Sequence, residues 1–146
     1  MSEYTTEHLR VAATPQDCFA VAVALELYPE WVADLKQVSI ESRDEQDRPL
    51  EVSFRAAAFG RSTNYSLRYD YSEAPVVLAW KQISGDITSK LDGSYRFSAD
   101  GDGTDVTYEL TVELKVPIPG FIKSRAQSRI QTTALRELRA RVESQS

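Results

Sequence analysis

Val106-Thr107-Tyr108-Glu109-Leu110-Thr111-Val112-Glu113-Leu114-Lys115-Val116 runs into Pro117-Ile118-Pro119-Gly120, and from Phe121 the rhythm of the chain changes. Before the prolines, apolar residues alternate with Thr, Glu and Lys, the period of a strand with one apolar face and one wet face. Prolines lack a ladder donor, so the strand cannot continue through Pro117 and Pro119. Beyond them Ile122, Ala126, Ile130, Ala134 and Leu138 fall four apart, flanked by Leu135 and Val142, the stripe of a helix about six turns long. A one-sided sheet needs a cover for its apolar face, and this is the only long segment with helical period. The pairing predicts an α+β fold, a curved antiparallel sheet wrapped around a long C-terminal helix. The stripe is small in its middle, where Ala126 and Ala134 flank Ile130, so room is expected between helix and sheet.

Working back toward the N-terminus, the same alternation recurs between turn signals. Asp100-Gly101-Asp102-Gly103 reads as a hairpin, because glycine accepts the positive φ of primed turns. Ile87, Ser89, Leu91, Gly93, Tyr95 and Phe97 share one face before it. Val76, Leu78, Trp80 and Gln82 share a face between the turns at Ala74-Pro75 and Ser84-Gly85-Asp86. Thr63, Tyr65, Leu67, Tyr69 and Tyr71 form another such series. Val52, Phe54, Ala56 and Ala58 form one more, with a break of phase at Phe59-Gly60 that suggests a turn or bulge. Val38 and Ile40 begin the series, ahead of the polar turn at 44–48. Residues Glu3 to Ala12 read as the first of about seven strands. Thr14 is a good N-cap and Pro15 suits the first position of a helix running to about Leu25. A second short helix is expected near Pro29, carrying Trp31, Val32 and Leu35. No repeat or linker divides the chain, so residues 1–146 are expected to form one domain.

The formal net charge is −5, which argues against a nucleic-acid partner. The charge is uneven. Lys123, Arg125, Arg129, Arg136, Arg139 and Arg141 outnumber Glu137 and Glu143 in the final segment, leaving the body more acidic than the whole. Such a basic helix offers transient contact with an anionic membrane, against the plainer reading of a solvated face. No apolar run reaches the roughly 20 residues of a membrane span, and the N-terminus shows no signal peptide. The single cysteine, Cys18, excludes an internal disulfide, and a cytoplasmic location is the natural reading. Oligomeric state is not written in the sequence.

Catalytic and metal constellations fail. His8 and Cys18 are each the only residue of their type, far apart on different elements, and no spacing suits zinc, calcium or a phosphate loop. No cofactor or metal is expected. Cys18 is read as a buried small hydrophobe and His8 as structural or exposed. The inward faces are more informative, because a few polar atoms in an apolar cavity orient a small-molecule ligand. Candidate cavity residues are Phe54, then Tyr65, Leu67 and Tyr69, then Leu78, Trp80 and Gln82. Ser89, Leu91 and Tyr95 follow on the next strand, and Tyr108 and Leu110 on the last. Phe121, Ala126, Ile130 and Ala134 face them from the helix. Trp31 is expected to pack the short helices against the sheet. No catalytic residue is assigned; Tyr65, Tyr69 and Arg55 are the only suggestive groups, and parity turns Arg55 outward.

Tyr28-Pro29-Glu30-Trp31 resembles the Tyr-Pro-x-Trp turn after the first helix in the polyketide cyclase/dehydrase branch of the START-like helix-grip (SRPBCC) superfamily. Leu91-Asp92-Gly93-Ser94-Tyr95-Arg96-Phe97, with Asp102-Gly103-Thr104-Asp105-Val106-Thr107-Tyr108, is similar to that branch's late hairpin. Pro117-Ile118-Pro119-Gly120-Phe121-Ile122-Lys123 resembles its approach to the last helix. The likeness spans roughly residues 4 to 143 and is closest to small single-domain actinobacterial members. It implies a helix-grip fold with a cavity, and the binding or carriage of a hydrophobic small molecule: a lipid, isoprenoid, quinone or polyketide. The superfamily also holds cyclases, so the alternative is a cyclase/dehydrase of aromatase-like type. A docking protein without a ligand is a third reading.

Overall fold

Alternation of apolar and polar side chains is what a strand needs to bury one face, and it organises most of the chain. The computed structural model describes residues 3–58, 61–117 and 119–145, and describes Ala58, Gly120 and Phe121 by backbone only. Its strands are β1 (Glu3–Val11), β2 (Leu35–Arg43), β3 (Pro49–Ala58), β4 (Arg61–Asp70), β5 (Val77–Gly85), β6 (Thr88–Asp100) and β7 (Gly103–Leu114). They form one antiparallel sheet in the order β1-β7-β6-β5-β4-β3-β2. The helices are α1 (Pro15–Val23), a 3₁₀ helix (Leu25–Glu30) and α2 (Gly120–Ser144). The break expected at Phe59-Gly60 lies outside the described residues.

Local chemistry sets the ends. Thr14 caps α1, its Oγ1 accepting from the Asp17 N–H at 3.2 Å, with Pro15 in the first turn. The β2–β3 turn is built by Asp44, which accepts from the Gln46 and Arg48 N–H groups and from Arg48 Nε, while Asp47 takes φ 64°. At the β6–β7 turn Gly101 takes φ 62°, and Arg10 of β1 donates to Asp100 and Asp102 across it.

Two expectations are corrected near the N-terminus and along the sheet. The short helix begins at Leu25, not near Pro29, and Leu35 opens β2 opposite Ala56 instead of lying on a helix. The Tyr28 carbonyl accepts from both Trp31 and Val32 N–H groups, which closes the turn there and frees the chain to pair. A bulge also shifts β6 against β7 between Thr88 and Lys90. It turns Thr88 inward and leaves Ser89 exposed, donating to Glu113 Oε1, so the inward placement of Ser89 is wrong. One extra residue inverts parity beyond it.

The long helix is present and buries Leu135, Leu138 and Val142 as expected, but its first half presents a different face. Ile122 is 48% exposed, whereas Lys123, Gln127, Gln131, Leu135, Leu138 and Val142 are buried. The helix is turned so that two glutamines lie over β1 and β7. Gln127 Nε2 donates to the Glu3 and Leu110 carbonyls, and Gln131 Nε2 to those of Thr5 and Tyr108. Backbone oxygens of the sheet thus take donors that an aliphatic face could not supply. Further along, Ala12 N–H donates to Glu143, Ala33 N–H donates to Glu137, and Arg141 pairs with Glu30 at 2.9 Å. Because α2 lies against β1, β7 and α1, its other flank stands off the inner face of the remaining strands. Among the described residues no helix is long and apolar enough to cross a membrane.

Candidate functional site

The space left beside α2 is a cavity of about 180 Å³. Its far wall is aromatic because successive inward positions on neighbouring strands carry rings. Trp80 on β5 lies 5.9 Å from Tyr69, 5.5 Å from Tyr95 and 5.8 Å from Tyr108, centroid to centroid, and Tyr95 lies 4.6 Å from Tyr108. Phe54 stacks on Tyr65 at 5.2 Å. Gly93, opposite Trp80 in the ladder, makes room for the indole, since a Cβ there would stand 2.7 Å from Trp80 Cζ2. The near wall is the free flank of α2, with Ile130, Ala134 and Glu137. Asp34, Ala57 and Thr133 line the cavity and are exposed, so they mark its mouth, beside Trp31 and Val32.

Of the candidates named from the sequence, the structure brings Phe54, Tyr65, Leu67, Tyr69, Trp80 and Leu91 onto this wall. Tyr95, Tyr108, Leu110, Ile130 and Ala134 join them. The others do not. Leu78 is fully buried in the core away from the cavity. Gln82 exchanges two bonds with Thr88, 2.5 and 2.8 Å, and so closes the β5–β6 hairpin. Ser89 is exposed, and Ala126 is half-buried off the lining. The side chain of Phe121 lies outside the described residues. Missed from the sequence were Gln127, Thr88, Thr133, Glu137 and the rim residues around Trp31. One signal for Gln127 existed: it and Gln131 are uncharged amides four apart in a helix otherwise studded with arginine.

The wall is polar in a particular way. Among the described residues, the hydroxyls of Tyr65, Tyr69, Tyr95 and Tyr108 make no hydrogen bond, although three other tyrosines, Tyr4, Tyr28 and Tyr71, do. Thr63 also faces inward, but its hydroxyl is spent on Asp86 at 2.6 Å. Burial pushes the phenols of Tyr65, Tyr69, Tyr95 and Tyr108 well up, so they stay neutral and can donate or accept without carrying charge. This has a measurable consequence. Unfolded tyrosines ionise near their ordinary value of 10.0, while these stay protonated in the folded chain. Their contribution is therefore intact below that pH and is lost as pH rises above it. The denaturant midpoint is expected to fall above about pH 10. Tyr69→Phe is expected to make that fall shallower, and an unchanged slope would count against Tyr69 being shielded from water.

Groups with obvious chemistry lie elsewhere. His8 is on the outer face with Nδ1 3.1 Å from Asp105 Oδ1. Cys18 is fully buried, and burial raises its thiol pKa. Arg55 is exposed on the outer side of β3, where parity put it. Among the described residues no group of three or more His, Cys, Asp and Glu side chains could hold a metal.

Residues 4–143 match the sequence profile of a family described as polyketide cyclase/dehydrase and lipid transport. Among solved structures, a START superfamily protein from Mycobacterium smegmatis superposes with a TM-score of 0.92 at 23% identity, covering 98% of this chain and 99% of that one. The Zhui aromatase/cyclase from Streptomyces sp. R1128 gives 0.85 at 14% identity, with 98% and 94% covered. A protein from Thermus thermophilus gives 0.83 at 20%, with 99% of each chain covered. These likenesses establish the helix-grip fold. No curated protein matches the sequence significantly.

Proposed function

The chain belongs to the polyketide cyclase/dehydrase and lipid transport family, and on that premise we propose that it binds a small, ring-shaped apolar molecule in the cavity beside α2. The observation that carries this reading is a cavity walled by aromatic rings with four tyrosine hydroxyls left without partners. These hydroxyls belong to residues that line the cavity and bond to no protein group among the described residues, so they point to oxygen atoms on a guest. Size narrows the guest. An apolar protein cavity of about 150 Å³ takes up benzene. A cavity of about 180 Å³ suits a substituted single ring or a compact bicycle better than a long lipid chain. The aromatic wall is neutral, and the charged lining groups are the carboxylates of Glu137 on the near wall and Asp34 at the mouth, so a neutral guest suits the space and an anion would be repelled. The exposed guanidinium side chains of Arg125, Arg129 and Arg136 on α2 would serve contact with an anionic membrane.

A cyclase or dehydrase remains the second reading. Tyr65 and Tyr69 could donate to a carbonyl of a ring-forming substrate and steady the charge that develops on its oxygen. Arg55, on the other face, cannot join them.

Trp80 reports on occupancy because it lies in the wall. Titration with a series from alkylbenzenes through naphthalenes to palmitate is expected to give saturable quenching by the one- and two-ring compounds and much weaker binding of palmitate. Trp80→Phe is expected to remove most of the signal, leaving what Trp31 at the mouth contributes, but not the heat of binding. Absence of saturable binding across the series would overturn the reading.

A further inference from the structure

We propose that the guest carries a hydrogen-bond donor, an alcohol or a phenol, and that Gln127 Oε1 receives it; this rests on the cavity reading above. Gln127 is fully buried and lines the cavity, and its Oε1 is the one buried side-chain acceptor left without a partner among the described residues. The amide cannot simply turn over to cure this. Its Nε2 sits 3.0 Å from the Glu3 carbonyl, 3.0 Å from the Leu110 carbonyl and 2.8 Å from Thr5 Oγ1. A rotated amide would press its oxygen against two carbonyl oxygens that have nothing to donate. Thr5 cannot help either, because it donates its own proton to Gln131 Oε1.

Gln131, one turn along the helix, shows what completion looks like. Its Nε2 serves two sheet carbonyls and its oxygen accepts from Thr5. The two amides lie over the same pair of strands, yet only the one on the cavity wall lacks a donor. A desolvated carbonyl oxygen is expensive to leave unpaired, and the cavity that Gln127 lines is the space from which a donor can come.

The requirement is selective. An amide oxygen only accepts, so a ketone, an ether or a carboxylate cannot satisfy it, whereas a hydroxyl can. Tyrosine hydroxyls both donate and accept, so they tolerate any oxygen and do not discriminate. A hydroxyl on the guest could donate to Gln127 while its ring lies against Tyr108, whose backbone follows the same strand as Leu110.

Calorimetry on the whole protein tests this with 4-ethylphenol, 4-ethylanisole and ethylbenzene, against the parent chain and Gln127→Met, which keeps the length and removes the acceptor. Thermal unfolding checks that the variant folds. The phenol's affinity is expected to fall about tenfold in the variant while that of ethylbenzene holds, and the parent is expected to bind the phenol better than its methyl ether. An equal fall for both ligands, or no preference for the phenol over its ether in the parent, would overturn the assignment; the latter is what a cavity water already bonded to Gln127 would produce. Failure of all three compounds to bind would overturn the cavity reading itself. Should Gln127→Met not fold, the side-chain carbonyl resonance of Gln127 in ¹³C-labelled parent protein decides. It should move on adding the phenol and not the ether, and a resonance indifferent to both would overturn the proposal.

Discussion

Gly93→Val is expected to unfold at markedly lower denaturant than the parent chain, a loss of about 3 kcal/mol. Gly93 faces Trp80 across the β5–β6 ladder, and a Cβ built on it would lie 2.6 Å from the Glu109 carbonyl oxygen and 2.7 Å from Trp80 Cζ2. Neither neighbour can give way. The carbonyl belongs to β7 inside the sheet, and the indole is hemmed by Tyr69, Tyr95 and Tyr108. Relief requires either a strand displaced from its ladder or a large ring driven into the cavity, and overpacking of that kind is costly. Urea unfolding measures the loss, and near-ultraviolet circular dichroism should show Trp80 in an altered setting. A change under about 0.5 kcal/mol, the scale of an ordinary surface substitution, would mean that the indole is not locked against the strand.

Ala134→Trp is expected to lower the affinity for one-ring guests at least about 100-fold while shifting stability by no more than about 1 kcal/mol. Ala134 is half-buried on the flank of α2 that faces the cavity, one turn from Ile130. A two-ring side chain there would occupy much of a space of about 180 Å³. Because the space already exists, filling it removes the guest's seat without pushing the sheet away. The paired outcome, binding lost and fold kept, separates a ligand site from a structural void. Undiminished binding would place the guest elsewhere on the molecule.

Much of this was legible in the residues. The alternation of Val52, Phe54 and Ala56, and of Thr63, Tyr65, Leu67 and Tyr69, places rings on one face whatever the tertiary details, because strand side chains alternate strictly. The change of period after Pro119 announced α2, and eleven of the wall residues followed from those two regularities. What escaped has two physical causes. Bulges are single insertions with no compositional mark: Ser89 looks like any other inward position until β6 slips against β7. Helix rotation is set by the partner surface. The apolar residues Ile122 and Ala126 suggested one orientation, but the carbonyls of β1 and β7 drew Gln127 and Gln131 inward and turned Ile122 out. Cavity volume is what side chains leave over, so it is not a property of any residue that could be read singly.

The pairing of β1 with β7, Thr5 opposite Leu110, bears on how the chain is made. Synthesis delivers β1 ahead of the other strands, and its only strand partner among the described residues is the last of them to appear. Until then β1 has an unsatisfied edge, and the glutamines that tie it down arrive later still, on α2. The meander from β2 to β7 can zip from neighbour to neighbour as it emerges, but closure of the sheet must wait. During synthesis this fold is completed only once α2 has emerged, and the cavity beside it is among the last parts to exist.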